Sequence, residues 1–221
     1  MTNLKRKVGE YAADFIKDGM KIGLGTGSTV YWTIQKLGQL ISEGLTIQAV
    51  ATSIETEKLA EQLSIPLISL SDVDYLDLTI DGADEINPNL HVIKGGGGAL
   101  LREKIVATSS KKLIIIADES KLVKDLGTFP LPIEIVPFAW EQTANRIQSF
   151  GCQTALRIQN NQPFITDNGN MILDCVFPNL ITKPIETHQQ LKMITGVIET
   201  GLFNNMVDKA ILATEKGIKE L

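Results

Sequence analysis

The chain has 221 residues, 43% of them apolar and 21% charged, and at this length folding buries roughly 70–75% of the surface an unfolded chain exposes. Disorder and a disulfide- or metal-stapled miniprotein are excluded. The 21 Lys and Arg residues are scattered among 26 Asp and Glu for a net charge of −5, so the basic footprint of a nucleic-acid binder is missing.

The N-terminal segment spaces Leu4, Val8, Tyr11, Ala12 and Phe15 as one face of a helix that Lys17, Asp18 and Gly19 then close. It is too charged for a signal peptide, and no run of about 18 apolar residues occurs anywhere, which predicts a cytoplasmic protein with no membrane partner. A short apolar strand, Met20 to Leu24, should run into the loop Gly23 to Thr29. A helix from Val30 to near Gly44, a strand at Ile47 to Ala51, a helix from about Glu55 to Leu63 and a strand near Pro66 to Leu70 should follow. This βαβαβ alternation argues for an α/β fold, a doubly wound and mostly parallel sheet with ligands at the carboxyl ends of its strands.

The next strand, Leu76 to Ile80, leads into DGADEINPN. A helix at Ala99 to Ala107 and a strand at Lys112 to Ala117 continue the pattern. The stretch GTFPLPIEIVPF holds three of the eight prolines and reads as a boundary. Beyond it a helix at Trp140 to Phe150, strands at Thr154 to Ile158 and Gly169 to Phe177 with a hairpin-type turn at Asn168-Gly169, a helix at Ile185 to Met193 and a strand at Val197 to Glu199 describe a smaller α+β domain. Residues 1–128 plus 200–221 are expected to form the first domain and 129–199 the second, with Val207 to Ala213 returning as an edge strand. Cys152 and Cys175 have no metal-ligand spacing and read as buried thiols in a reducing compartment.

Four segments carry chemistry. The loop Gly23-Leu24-Gly25-Thr26-Gly27-Ser28-Thr29 has Ser28 where a dinucleotide fingerprint needs glycine, and Ala51, Thr52 and Ser53 where an acidic residue should end the second strand. There is no lysine-bearing triphosphate loop either. Glycine amides and the Thr26, Ser28 and Thr29 hydroxyls at a helix N-terminus suit a phosphate monoester; read alone, Ser28 or Thr29 is equally a plain helix cap.

Asp81, Gly82, Ala83, Asp84 and Glu85 follow a buried strand, without the spacing of a cation loop. They would hold sugar hydroxyls or shuttle a proton, unless they form only a solvated turn. Lys94 precedes Gly95, Gly96, Gly97 and Gly98, a run that permits close backbone approach to a ligand. Glu103, on the following helix, has Ala99, Leu100, Val106 and Ala107 as neighbours one turn away, so its carboxylate should be desolvated and suited to proton transfer near neutrality. Lys121, after a further strand, could reach a phosphate or simply face water.

At these residues the chain resembles the type A ribose-5-phosphate isomerases. The similar segments are GLGTGST, DGADEIN, KGGGGALLREK and IADESK, then FPLPIEI, TDNGNMILD and TGVIETGLF, in order across nearly the whole chain. The resemblance implies a Rossmann-like first domain, a ferredoxin-like second domain, a homodimer or larger assembly, no cofactor and no metal. It makes Glu103 the general base that moves a proton between C1 and C2 through a cis-enediolate. Thr26, Gly27, Ser28, Thr29 and Lys121 become phosphate and loop contacts, and Asp81, Gly82, Ala83, Asp84, Lys94 and the Gly95 to Gly97 backbone surround the sugar. Lys94 and the glycine amides would face the oxyanion, and Asp81 and Asp84 would assist ring opening. Members of the family commonly carry a phosphate-facing lysine on the first helix; here Lys5, Arg6 and Lys7 crowd the place, and whether Lys5 or Lys7 takes that role is left open. Gly98, where alanine is frequent, and Asn204-Asn205-Met206 depart from the pattern without touching the proton transfer. The alternatives are a non-catalytic sugar-phosphate sensor, for which no DNA-binding module is attached, and a transferase using glutamate as a nucleophile.

Overall fold

The computed structural model describes residues 2–221, and the chain divides into two compact units. The first comprises the chain up to Ala83, Arg102–Leu122 and Met206–Leu221; the second comprises Asp84–Leu101 and Val123–Asn205.

The first unit is built on a six-stranded sheet in the order Gly217–Glu220, Lys209–Thr214, Leu113–Asp118, Leu78–Gly82, Lys21–Leu24, Gln48–Ala51. Its last five strands run parallel, and only Gly217–Glu220 is antiparallel. Such strands are buried on both faces and need apolar runs; Leu113–Asp118, LIIIAD, is buried throughout. One face packs on the helices Thr2–Ala13 and Val30–Ser42 through Val8, Ala12, Val30, Ile34 and Leu37 against Ile22, Leu24, Ile80, Ile114 and Ile116. Val106, on the Leu100–Thr108 helix, packs with Val50 and Leu76 in a separate cluster. The expected α/β architecture is therefore present, with its loops at the carboxyl ends of the strands.

Two expectations in this unit change. Pro66 to Leu70 makes a single parallel bridge, Ala49 to Leu67, before a 3-10 turn at Leu70–Asp72; the apolar run is too short and too close to Ser69 and Ser71 to extend the ladder. The returning tail forms Lys209–Thr214 one place in from the edge, because Gly217–Glu220 folds back beside it.

The second unit contains a four-stranded antiparallel sheet in the order Val197–Thr200, Leu131–Ile135, Met171–Val176, Gln153–Leu156. With the helices Trp140–Gln148 and Pro184–Lys192 between strands, this is the βαββαβ connectivity of a ferredoxin-like unit. One sheet face forms a core with those helices through Leu131, Ile133, Ile135, Leu173, Ala144, Ile147 and Leu191, and the two free thiols, Cys152 and Cys175, lie in the same core. The stretch read as a boundary is in fact a central strand. Pro132 is tolerated there because its carbonyl, which needs no N–H, accepts from Gly201 N at 2.7 Å.

The unit also claims Asp84–Leu101, which the expected domain limits had assigned elsewhere. The reason is a small sheet, Leu202–Phe203 beside Val92–Ile93 beside Glu85–Ile86, that no local pattern announces. Glu85 is 3% exposed and spends its carboxylate on backbone, accepting from Gly127 N at 2.7 Å and Phe129 N at 2.6 Å. It is a structural clasp and not one acid of a solvated turn. Among the described residues, no helix is long and apolar enough to cross a membrane.

Removing the clasp leaves two buried N–H groups without acceptors. Glu85→Ala should therefore lower unfolding free energy by about 3 kcal/mol, and Glu85→Gln, which keeps one carbonyl acceptor, by about half as much; urea titration of both variants measures it.

Candidate functional site

In the first unit the loop after the Lys21–Leu24 strand is drawn against the end of the neighbouring Leu78–Gly82 strand. Gly25 N donates to Ile80 O at 2.9 Å, and Asp81, 1% exposed, accepts on Oδ1 from Thr26 N at 3.2 Å and Gly82 N at 2.7 Å. The approach is possible only without a side chain at 25, since a Cβ there would lie 2.1 Å from Asp81 Oδ1 and 2.7 Å from its Cα. Gly82 and Ala83 follow, both half-buried.

The loop's hydroxyls divide into two sets. Thr26 Oγ1 turns inward to Thr52 Oγ1 and Ser53 Oγ, each at 2.8 Å, and lies 3.3 Å from Thr56 Oγ1. Gly27 and Ser28 face outward and line a cavity of about 420 Å³ whose wall also includes Lys5, Tyr31, Trp32 and Glu55. Lys5 Nζ donates to Ser28 Oγ at 2.8 Å. Lys7 is exposed, and Arg6 instead pairs with Glu10 at 2.8 Å, so of the two candidate lysines the one on the loop is Lys5. Thr29, at the N-cap of Val30–Ser42, makes no side-chain cap hydrogen bond; the plain-cap reading of Thr29 is thus not what the loop does. Helix-terminal amides and a cation beside a hydroxyl-rich turn make a site for a dianion.

Glu103 lies in the first turn of Leu100–Thr108 and is 4% exposed, the desolvated setting the apolar neighbours implied. Lys104 is buried as well, at 8%, so the face on which Glu103 sits is less distinctive than its burial. Lys121 ends a 3-10 turn at the carboxyl end of Leu113–Asp118 and is half-buried. Among the described residues no hydrogen bond or ion pair joins Lys121 to the Gly25 to Thr29 loop.

In the second unit Asp84 N donates to Ile93 O at 2.8 Å, and Asp84 Oδ2 accepts from Gly96 N at 2.8 Å. Lys94 is 2% exposed, anchored by its backbone N to Gly201 O at 2.9 Å, with Nζ 5.5 Å from the centre of the Phe203 ring. Gly95 is buried while Gly96 and Gly97 are exposed. Asp84, Lys94 and the glycine backbone, nominated separately from sequence, thus form one local cluster. Among the described residues no group of three or more His, Cys, Asp or Glu side chains is arranged to hold a metal ion.

The sequence reading missed the Thr52, Ser53 and Thr56 partners of Thr26. Thr52 and Ser53 had served only to exclude an acidic ribose ligand, although their place at the carboxyl end of a parallel strand makes them candidates for the site. Ser53 also caps the Ile54–Gln62 helix, accepting from Thr56 N at 3.1 Å.

Comparison with known proteins gives a consistent picture. A family model described as ribose 5-phosphate isomerase A (phosphoriboisomerase A) matches residues 48–217. A ribose-5-phosphate isomerase A of Bacillus cereus is 72% identical over 219 residues, 99% of this chain and 100% of that protein. A solved ribose 5-phosphate isomerase of Plasmodium falciparum superposes with a TM-score of 0.97 at 42% identity, covering 100% of this chain and 98% of the other. A D-ribose-5-phosphate isomerase solved with phospho-erythronic acid has a TM-score of 0.96 at 41% identity, covering 99% and 97%.

The Gly25 approach is testable apart from any reaction. Gly25→Ala should push the loop off Asp81 and cost about 1–3 kcal/mol of stability, measured by denaturant unfolding, while weakening sugar-phosphate binding measured by calorimetry.

Proposed function

Since this chain belongs to the ribose 5-phosphate isomerase A family and interconverts D-ribose 5-phosphate and D-ribulose 5-phosphate, we propose that Glu103 is the base that carries the proton between the two carbons. The open-chain aldose loses its C2 proton to the carboxylate, the C–H electrons pass to the carbonyl oxygen as a cis-enediolate, a proton moves from O2 to O1, and the same carboxyl returns its proton to C1 as C2 becomes the carbonyl. A carboxylate 4% exposed supports this role, because a base out of bulk water keeps its proton for the return step.

The observation that carries the substrate class is the Lys5 to Ser28 hydrogen bond of 2.8 Å on the wall of the loop cavity. It supports a phosphate held by Lys5, by Ser28 and by the Gly27 to Thr29 backbone, with Thr26 bracing the loop from behind and Lys121 as a further cationic contact. Anchoring a phosphate remote from the reacting carbons supplies binding energy for orientation. Lys94 and the glycine amides other than that of Gly96, which holds Asp84, take the developing oxyanion. Asp81 and Asp84 hold hydroxyls and assist ring opening, with Gly82 and Ala83 as the backbone between them; each aspartate has one carboxylate oxygen already oriented by loop amides. The reaction assigned here gives neither a redox cofactor nor a metal a task. We also infer a cytoplasmic homodimer: two free buried thiols suit a reducing compartment, and Phe138, 88% exposed, is apolar surface that a second copy would cover.

Incubation with ribose 5-phosphate in deuterium oxide tests the base. Solvent deuterium entering the product, in competition with return of the substrate's own C2 proton, supports the enediolate route, and tight binding without turnover would mean a sensor. Glu103→Gln should cut kcat by on the order of 10³-fold with KM little changed. Lys5→Ala should raise KM about tenfold or more, the loss of one charge-assisted contact, and an unchanged KM in steady-state assays would remove Lys5 from the site.

A further inference from the structure

The segment TDNGNMILD has no place in the roles assigned above, yet its last residue leads directly to the tetraglycine loop. Asp174, on Met171–Val176, forms a two-pronged ion pair with Arg157, Nε to Oδ2 at 2.9 Å and Nη2 to Oδ1 at 2.5 Å. The pair is largely shielded, the Arg157 side chain being 14% exposed and that of Asp174 26%. The remaining guanidinium nitrogen, Nη1, donates to two consecutive carbonyls of the loop, Gly95 O at 2.8 Å and Gly96 O at 3.1 Å. All of these groups belong to the second unit.

A trans peptide holds its C=O and N–H in opposite directions. The carbonyl of Gly95 shares a peptide plane with the N–H of Gly96, and that of Gly96 with the N–H of Gly97. Two carbonyls aimed at one guanidinium nitrogen therefore aim both N–H groups the other way. The first of these is seen to do so, since Gly96 N meets Asp84 Oδ2 at 2.8 Å on the far side; peptide planarity turns the second, on Gly97, away from Arg157 as well. Consecutive amides turned to one side make an anion-binding concavity. A cation hydrogen-bonded to their carbonyls polarises both peptides and strengthens the N–H groups as donors.

The loop is pinned at its other end as well. Gly98 has φ +84°, and a Cβ there would lie 2.4 Å from Phe164 Cζ. Phe164 in turn has the Arg157 guanidinium 5.9 Å from its ring centre. Glycine supplies the backbone freedom, and Arg157 with Phe164 removes it.

We propose that Arg157, locked by Asp174, is a positioning residue for isomerisation: it orients and polarises the Gly95–Gly96 and Gly96–Gly97 peptides so that the Gly96 N–H holds the Asp84 carboxylate and the Gly97 N–H faces the enediolate oxygen. The proposal rests on the assignment of the glycine amides as oxyanion donors. It explains why the position carries arginine, since a lysine ammonium cannot grip a carboxylate with two prongs and still span two carbonyls.

Arg157→Ala and Arg157→Lys, assayed for kcat and KM separately, decide the matter. Misaligning an oxyanion donor costs on the order of 100-fold, so both variants should lose kcat on that scale while KM for ribose 5-phosphate stays within about threefold, and added guanidinium ion should restore part of the loss in Arg157→Ala. Asp174→Asn, which keeps the cation but loosens its lock, should lose about tenfold and guards against a variant that fails to fold. Amide exchange followed by NMR in the unliganded protein gives an activity-independent reading, with the Gly96 N–H exchanging faster in Arg157→Ala. Unchanged kcat, a rise confined to KM, or unaltered Gly96 exchange would each overturn the proposal. A wild-type protein that failed to isomerise would instead overturn the oxyanion assignment, while the exchange data would still judge the clamp.

Discussion

Backbone must reach a fixed carboxylate without a side chain intervening, and this constraint recurs in both units. In the first, Thr26 N meets Asp81 Oδ1 at 3.2 Å because Gly25 leaves the space. In the second, Gly96 N meets Asp84 Oδ2 at 2.8 Å, and a Cβ on Gly96 would fall 2.6 Å from Asp84 Oδ1. The two aspartates of a single DGAD segment each fasten one glycine loop. Glycine costs conformational entropy on folding, and a carboxylate accepting an amide hydrogen bond supplies an interaction of the stronger, charge-assisted kind in return.

Buried charge is used structurally elsewhere by the same logic. Glu134 is fully buried, and its Oε1 accepts from Thr166 Oγ1 at 3.0 Å, Asn170 Nδ2 at 2.8 Å and Asn168 Nδ2 at 3.2 Å. The TDNGN turn is thereby closed on the sheet face opposite the hydrophobic core. Glu85 does the same for the Gly127 and Phe129 amides. A charge taken out of water is tolerable only where several donors replace the lost hydration, so these turns are specified by polar partners far away in sequence.

That distance explains what could and could not be read from the chain. The alternation of apolar strands with helices was legible because a parallel sheet covered on both faces demands it, and the glycine loops were legible because so many glycines have few other uses. Pro66 to Leu70 and FPLPIEI misled for opposite reasons: the first is apolar without an extended partner, while the second tolerates Pro132 because the ladder there needs only its carbonyl. Nothing local predicts that Leu202–Phe203 pairs with Val92–Ile93, which moves Asp84–Leu101 into the second unit. In the site, Glu103, Asp81 and Asp84 stood out by type and setting. Lys5 was ambiguous among neighbouring cations until a hydrogen bond to Ser28 singled it out, and Thr52, Ser53 and Thr56 became visible only as the partners of Thr26.

The two loops then differ in how positive charge is brought to them. Lys5 stands on the ligand side of the first loop, beside a hydroxyl and a cavity, where a mobile ammonium can pair directly with a dianion. Arg157 stands behind the second loop, on its carbonyl side, and in the role proposed for it would reach a ligand only through the peptide dipoles it aligns. A phosphate needs net charge at contact, whereas an enediolate oxygen appears only during the reaction and is best met by donors already fixed before it forms. In a chain whose overall charge is negative, the roles proposed for a lysine at one loop and a locked arginine at the other would separate the tasks of capture and of chemistry.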